Sequence, residues 1–147
     1  MERIFVGVDP GKSGAFAILW APGKVSVYPW DDVEFAEAMQ EVAQHVCVAC
    51  VERVGVMPRD GGKQAFSFGK SAGFIEGVLT AYNIPYQLVL PQTWKKEFSV
   101  TADKSTSITI CKRLFPKVSL KRTERCKVDH DGMAEALLLA EYAKRKF

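Results

Sequence analysis

Asp9 closes the apolar run Ile4-Phe5-Val6-Gly7-Val8 and is followed by the turn pair Pro10-Gly11. Glu52 closes a second apolar run, Val46-Cys47-Val48-Ala49-Cys50-Val51. Asp131 and Glu135 lie four apart in what reads as the last helix, so they project about 40° from one another and share a face. Carboxylates remote in sequence converge when strands end side by side and a helix packs across them. Once together they repel unless protons or cations neutralise them. A set of hard oxygen donors with no convergent His or Cys suits Mg²⁺, with Mn²⁺ as a substitute. Two such ions about 4 Å apart can activate a water and stabilise the leaving oxygen of a phosphodiester.

Each residue also has a simpler reading. Asp9 can be a turn residue before Pro10. Glu52 can pair with Arg53 or Lys104, because an unpaired charge in an apolar strand is costly. Asp131 and Glu135 can be acids favoured by the dipole of a helix's first turns. Asp129, six residues before Glu135, points elsewhere if helical and reads as the helix cap. His130 is either a surface histidine near that cap or an aid to proton transfer.

The elements that must position these groups are legible in the pattern. Arg3–Val8 and Ala15–Trp20 read as strands joined by the turn at 9–14, hence a hairpin. A short strand around Val25–Tyr28 follows Pro22-Gly23. Asp31 or Asp32 caps a helix over Val33–His45 that buries Phe35, Met39 and Val42. Val46–Glu52 is β-branched and apolar, an interior strand. Gly55–Lys63 reads as a loop.

Gln64–Tyr82 reads as a helix whose Gly69, Gly73 and Gly77 invite close packing or a dimer contact, since each glycine costs about 1 kcal/mol of helix propensity. Tyr86–Leu90 is a strand and Pro91–Trp94 a turn of helix. A helix capped by Asp103 or Ser105 runs to Leu114. Lys117–Val128 is irregular, and Asp129–Lys146 is the final helix, with Met133, Leu137 and Ala140 buried. The order β-β-β-α-β-α-β-α-α implies an α/β fold: a mixed five-stranded sheet with helices on its faces. Residues 1–147 read as one domain.

Net charge is only +3, so composition alone demands no anionic partner. Its distribution says more. Between Pro91 and Lys127 there are ten Lys or Arg against three acids, a stretch able to neutralise phosphates. The four cysteines include Cys47 and Cys50 at zinc-type spacing, yet inside a strand run residues three apart point to opposite faces, so they read as core thiols. Apolar runs are strand-sized or broken by charge, which argues against a membrane span and for a cytoplasmic setting.

The motifs resemble one family over nearly the whole chain and in the same order. Val6-Gly7-Val8-Asp9-Pro10-Gly11-x-Ser13-Gly14-x-x-x-Ile18 looks like the opening hairpin of RuvC-type Holliday-junction resolvases. Val51-Glu52-Arg53-Val54 is similar to that family's second acidic motif, and Gln64-Ala65-Phe66-x-Phe68-Gly69 through Gly73 resembles the helix that follows it. Val89-x-Pro91-x-x-Trp94-Lys95 with Asp103-Lys104 is most like the phage branch. Asp131-Gly132-Met133-Ala134-Glu135-Ala136-Leu137 resembles the closing helix.

The resemblance implies a ribonuclease H-like fold and a homodimer that nicks four-way or other branched DNA, in host cytoplasm if phage-encoded. It implies that Asp9, Glu52, Asp131 and Glu135 hold Mg²⁺ and that Lys104 sits near the scissile phosphate. Lys12, Arg53, Arg59, Lys63, Lys95, Lys96, Lys121 and Arg122 are candidate DNA contacts. The chain departs from the pattern in three places. The last acid is Glu where bacterial members commonly have Asp. The acid before it lies four rather than three residues away, which leaves Asp129 as a rival to Asp131. The aromatic wedge of bacterial members has no clear match; Gly55-Val56-Met57 occupies that region, and Met57 reads either as a wedge between bases or as a hydrophobic loop residue.

Competing readings are a ribonuclease H-like nuclease acting on RNA or an RNA–DNA hybrid, a non-catalytic nucleic-acid-binding module, and a sugar-kinase or chaperone-type ATPase. The last needs two lobes where 147 residues supply one. The module would keep four acids that repel phosphate for no purpose.

Overall fold

A computed structural model describes every residue except Met1, Val54, Val56 and Met57, so the wedge candidate Met57 lies outside the described residues. The strands β1 (Ile4–Asp9), β2 (Ala15–Ala21) and β3 (Lys24–Pro29) form an antiparallel meander. On the other side of β1, β4 (Cys47–Glu52) and β5 (Tyr86–Val89) run parallel to it, giving the order β3-β2-β1-β4-β5. Helices α1 (Asp32–Val42), α2 (Gly62–Ala81), α3 (Pro91–Glu97), α4 (Ser105–Leu114) and α5 (Asp131–Lys146) cover both faces. The mixed five-stranded sheet flanked by helices is the architecture that the alternating pattern predicts.

Strand alternation divides the apolar residues between two cores. Ile4, Val6, Val8, Phe16 and Ile18 pack with Phe35 and Met39 of α1 and Ile75 and Leu79 of α2. Ala15, Ala17, Cys50 and Val89 pack on the opposite face with Trp94, Ile110 and the α5 residues Met133, Leu137 and Ala140. Cys47 and Cys50 fall in different cores, which is the opposed orientation that their spacing demands.

The face under α5 matters most. Ten of the sixteen α5 residues are buried, so this helix is a central element and not a surface cover. It lies so close to β1 that a Cβ built on Gly7 would stand 2.1 Å from the Ala136 carbonyl oxygen and 2.3 Å from the Ala140 nitrogen. Only a hydrogen at residue 7, facing alanines on the helix, allows that approach.

Several local expectations change. Pro91–Glu97 is a complete helix with Pro91 in its first turn, not a single turn, which adds one element to the predicted order. Helix α2 starts at Gly62, and Gly69, Gly73 and Gly77 face open space, so the close packing expected of them does not occur among the described residues. Helix α1 is capped by Asp31, whose side chain accepts from the Glu34 N–H. Lys104 holds the cap position of α4, while the Asp103 carboxylate accepts from Ser105. Among the described residues no helix is long and apolar enough to cross a membrane.

Candidate metal centre

Pairing brings the first two acids together. Gly7 sits beside Cys50 and Val8 beside Val51 in the parallel β1–β4 ladder. One step further, Asp9 and Glu52 end neighbouring strands on the α5 face. Helix α5 then carries Asp131 and Glu135 over those ends. Its start is fixed against the turn after β1, because a Cβ on Gly132 would lie 2.6 Å from the Ser13 carbonyl oxygen.

The electrostatics record the convergence. Burial raises the Asp9 carboxyl to about 9, and Glu135, Glu52 and Asp131 push the same way, as does a side-chain hydrogen bond with Glu135. Glu135 is also raised, by burial first and the Glu52 charge second, while Lys95 opposes the shift. The charges of Glu52 and Asp131 thus act on both Asp9 and Glu135.

Cations and one donor hold part of this charge. Lys95 Nζ is 3.6 Å from Glu135 Oε1, and Lys104 Nζ is 3.5 Å from Asp131 Oδ2. Glu52 pairs with neither Arg53 nor Lys104 here: the Trp94 indole Nε1–H donates to its Oε2 at 2.7 Å. Among the described residues no three His, Cys, Asp or Glu side chains already close a ligand shell. The carboxylates form an open, mutually repelling oxygen set instead. Their hard donors and only partly balanced charge fit a divalent cation of the Mg²⁺ class.

The cap of α5 is His130 and not Asp129. Asp129 pairs with Lys112 of α4, and it is not among the charges that raise Asp9. His130 is the cap, its Nδ1 accepting the Met133 N–H at 3.0 Å. That bond places the ring proton on Nε2, and burial lowers the histidine's pKa. Asp131 is therefore the member of the rival pair that lies with Asp9.

Of the candidate DNA contacts, Lys95 and Lys104 stand at the carboxylates. Lys12 and Lys63 line a groove of about 880 Å³ between the turn after β1 and the start of α2, together with Trp30 and Phe68. Lys70 lines it too and was missed by sequence reasoning. Its signal was the seven-residue spacing from Lys63, two turns along one helix face. Arg53 lines a smaller cleft with Glu52, Pro10 and Phe68. Arg59, Lys96, Lys121 and Arg122 are exposed without joining either cluster. Phe66, on the same side of α2 as Gly69, Gly73 and Gly77, is 73% exposed. Trp94 is buried, as a core anchor should be, but its bond to Glu52 spans 42 positions and has no local signature.

No protein-family model matches the chain, and no curated protein matches its sequence. Solved structures do match. Thermus thermophilus RuvC in complex with a Holliday junction substrate superposes with a TM-score of 0.66 at 14% identity, over 99% of this chain and 97% of that one. A second structure of Thermus thermophilus RuvC gives a TM-score of 0.57 at 16% identity, over 97% and 96%. The chain has the RuvC, ribonuclease H-like fold. At such identities the likeness concerns the fold.

Proposed function

We propose that this protein is a Mg²⁺-dependent, structure-selective endonuclease that nicks four-way junctions or other branched DNA. The observation that carries the reading is the convergence of Asp9, Glu52, Asp131 and Glu135, seen in the strongly raised Asp9 carboxyl. A structural role would not gather three further acids around one buried carboxylate. Asp9, Glu52, Asp131 and Glu135 would hold the metal, which when bound supplies charge neutralisation and an activated water for phosphodiester hydrolysis.

The chain's own residues do the rest. Lys95 and Lys104 balance Glu135 and Asp131 in the metal-free protein. The exposed Lys104 ammonium is free to turn to a phosphate once a metal takes over Asp131. Lys12, Lys63 and Lys70 offer a phosphate-binding track along the groove beside the centre.

The homodimer reading is supported by the open glycine face of α2 and the exposed Phe66 on the same helix. Two such centres in one dimer would introduce paired nicks. The Val89-x-Pro91-x-x-Trp94-Lys95 segment supports the phage branch. The RuvC neighbour bound to a Holliday junction favours a branched substrate over linear duplex.

The test is incubation with a synthetic four-way junction, a linear duplex and an RNA–DNA hybrid, with Mg²⁺ or with EDTA. Symmetric nicking of the junction that EDTA abolishes supports the reading, and Asp9→Asn should remove the nicking while leaving junction binding intact. Cleavage of the hybrid alone would replace it with the RNA-directed alternative. Binding without cleavage in any divalent metal would leave a non-catalytic module.

A further inference from the structure

Trp94 is fully buried, in the cluster that includes Cys50, Val89 and Leu137. An indole N–H is a donor only, and a buried one needs an acceptor. Here the acceptor is the carboxylate of Glu52, at 2.7 Å. The fold makes this contact in few steps. Glu52 pairs with Val89 across the β4–β5 ladder, and the Arg53 N–H bonds the Val89 carbonyl at 2.8 Å. Pro91 then starts α3, whose first turns bring the Trp94 ring onto the α5 side of the sheet. The far end of α3 is tied to α5 through Glu97, which pairs with Arg145 at 3.3 Å and Lys146 at 3.0 Å. A rigid, buried ring on a clamped helix therefore fixes one oxygen of the Glu52 carboxylate.

We propose that Trp94 is a positioning residue, whose buried indole N–H holds the Glu52 side chain in the orientation that binds the metal. The bond occupies one lone pair of Oε2 and leaves Oε1 and the other Oε2 lone pair for a cation. Trp94 itself has no lone pair to offer a metal, so it acts only through Glu52. Donors of this kind to a ligating carboxylate typically contribute about 10- to 100-fold to metal affinity. The proposal rests on the reading of Glu52 as a ligand.

Calorimetric titration of the purified protein with Mg²⁺ tests it. Trp94→Phe keeps an aromatic ring in the core and removes the donor, and should weaken Mg²⁺ binding about tenfold. In a Glu52→Gln background the same change should cost less than twofold, because the neutral amide oxygen through which Trp94 then acts is a far weaker ligand for Mg²⁺ than a carboxylate. A Trp94→Phe affinity within twofold of wild type, or an undiminished penalty in the Glu52→Gln background, overturns the proposal.

The indole N–H resonances of the unaltered core supply a second measurement that does not depend on how well Trp94→Phe folds. The chain has three tryptophans, and the other two donate elsewhere: Trp20 to Ser26 Oγ at 2.9 Å and Trp30 to Asp32 Oδ1 at 2.7 Å. With those two assigned from Trp20→Phe and Trp30→Phe, the Trp94 resonance should shift on Mg²⁺ addition and in Glu52→Gln. A Trp94 resonance indifferent to both overturns the proposal. A wild-type protein that binds Mg²⁺ but cuts no branched DNA overturns the nuclease reading alone. One that binds no Mg²⁺ overturns both.

Discussion

Helices α5 and α2 are the two long helices of the molecule, on opposite faces of one sheet, and they are built on opposite terms. Helix α5 is buried on most of its surface and touches β1 backbone to backbone through Gly7. Helix α2 buries only Ile75 and Leu79 and turns Gly69, Gly73 and Gly77 to open space. The difference separates two uses of small residues. On the α5 side they remove a gap inside the chain, so that Asp131 and Glu135 reach Asp9 and Glu52 with little freedom. On the α2 side they leave a smooth face that none of the described residues occupies.

The sharpest way to break this contrast is to add one methyl group to each face. Gly7→Ala would place a Cβ 2.1 Å from the Ala136 carbonyl, a backbone atom that can yield only if α5 moves. Overpacking of this kind typically costs about 1–3 kcal/mol and occasionally more. Because the obstruction is backbone on both sides, we expect the upper end of that range, with a matching fall in denaturation midpoint and loss of cleavage. A Gly7→Ala protein as stable as wild type would show that α5 is not locked to β1.

Charge separates the two faces next. The folded Asp9 carboxyl sits near 9, against an ordinary value near 3.8, so its folded form keeps a proton that the unfolded chain releases. The sign follows. The stabilisation from that proton is complete below pH ~4 and is lost as pH rises toward 9. Metal-free protein should therefore lose stability from pH 5 to 9. Asp9→Asn should flatten the profile and exceed wild type at pH 8, and Mg²⁺ should raise the wild-type melting temperature more at pH 8 than at pH 6. A metal-free profile that is flat or rises over this range would refute the crowding of carboxylates under α5.

How much of this was legible in the sequence follows from the range of each interaction. The strands, the α1 face of Phe35, Met39 and Val42, and the acids that end β1 and β4 are local patterns, and they are found where the patterns put them. The centre was legible as a set of residue types but not as a set of contacts. The indole of Trp94 on Glu52 and the pairing of Lys112 with Asp129 depend on how α3 and α4 dock, which no spacing reveals. Asp129 looked like the cap because Asp is a preferred cap residue. His130 took the position because its Nδ1 reaches the Met133 N–H, leaving Asp129 free for Lys112. Gly7 lay in plain view within β1, yet its use appears only when α5 is laid across it.

The smallest effect, and the one that bears most on assembly, is expected at Gly73. A Cβ there meets nothing within 4 Å, so Gly73→Ala removes a helix-destabilising glycine without a clash. The isolated chain should gain about 0.8–1 kcal/mol, the Gly-to-Ala difference in a helix interior. If a second copy lies against this smooth face, as the homodimer reading holds, the same methyl group should push the two helices apart. Stability at low protein concentration would then rise while the dimer fraction in sedimentation falls. A gain in stability with an unchanged dimer fraction would move the contact away from the glycine face. Loss of stability in the monomer would mean that Gly73 packs within the chain after all, and that α2 differs less from α5 than their surroundings indicate.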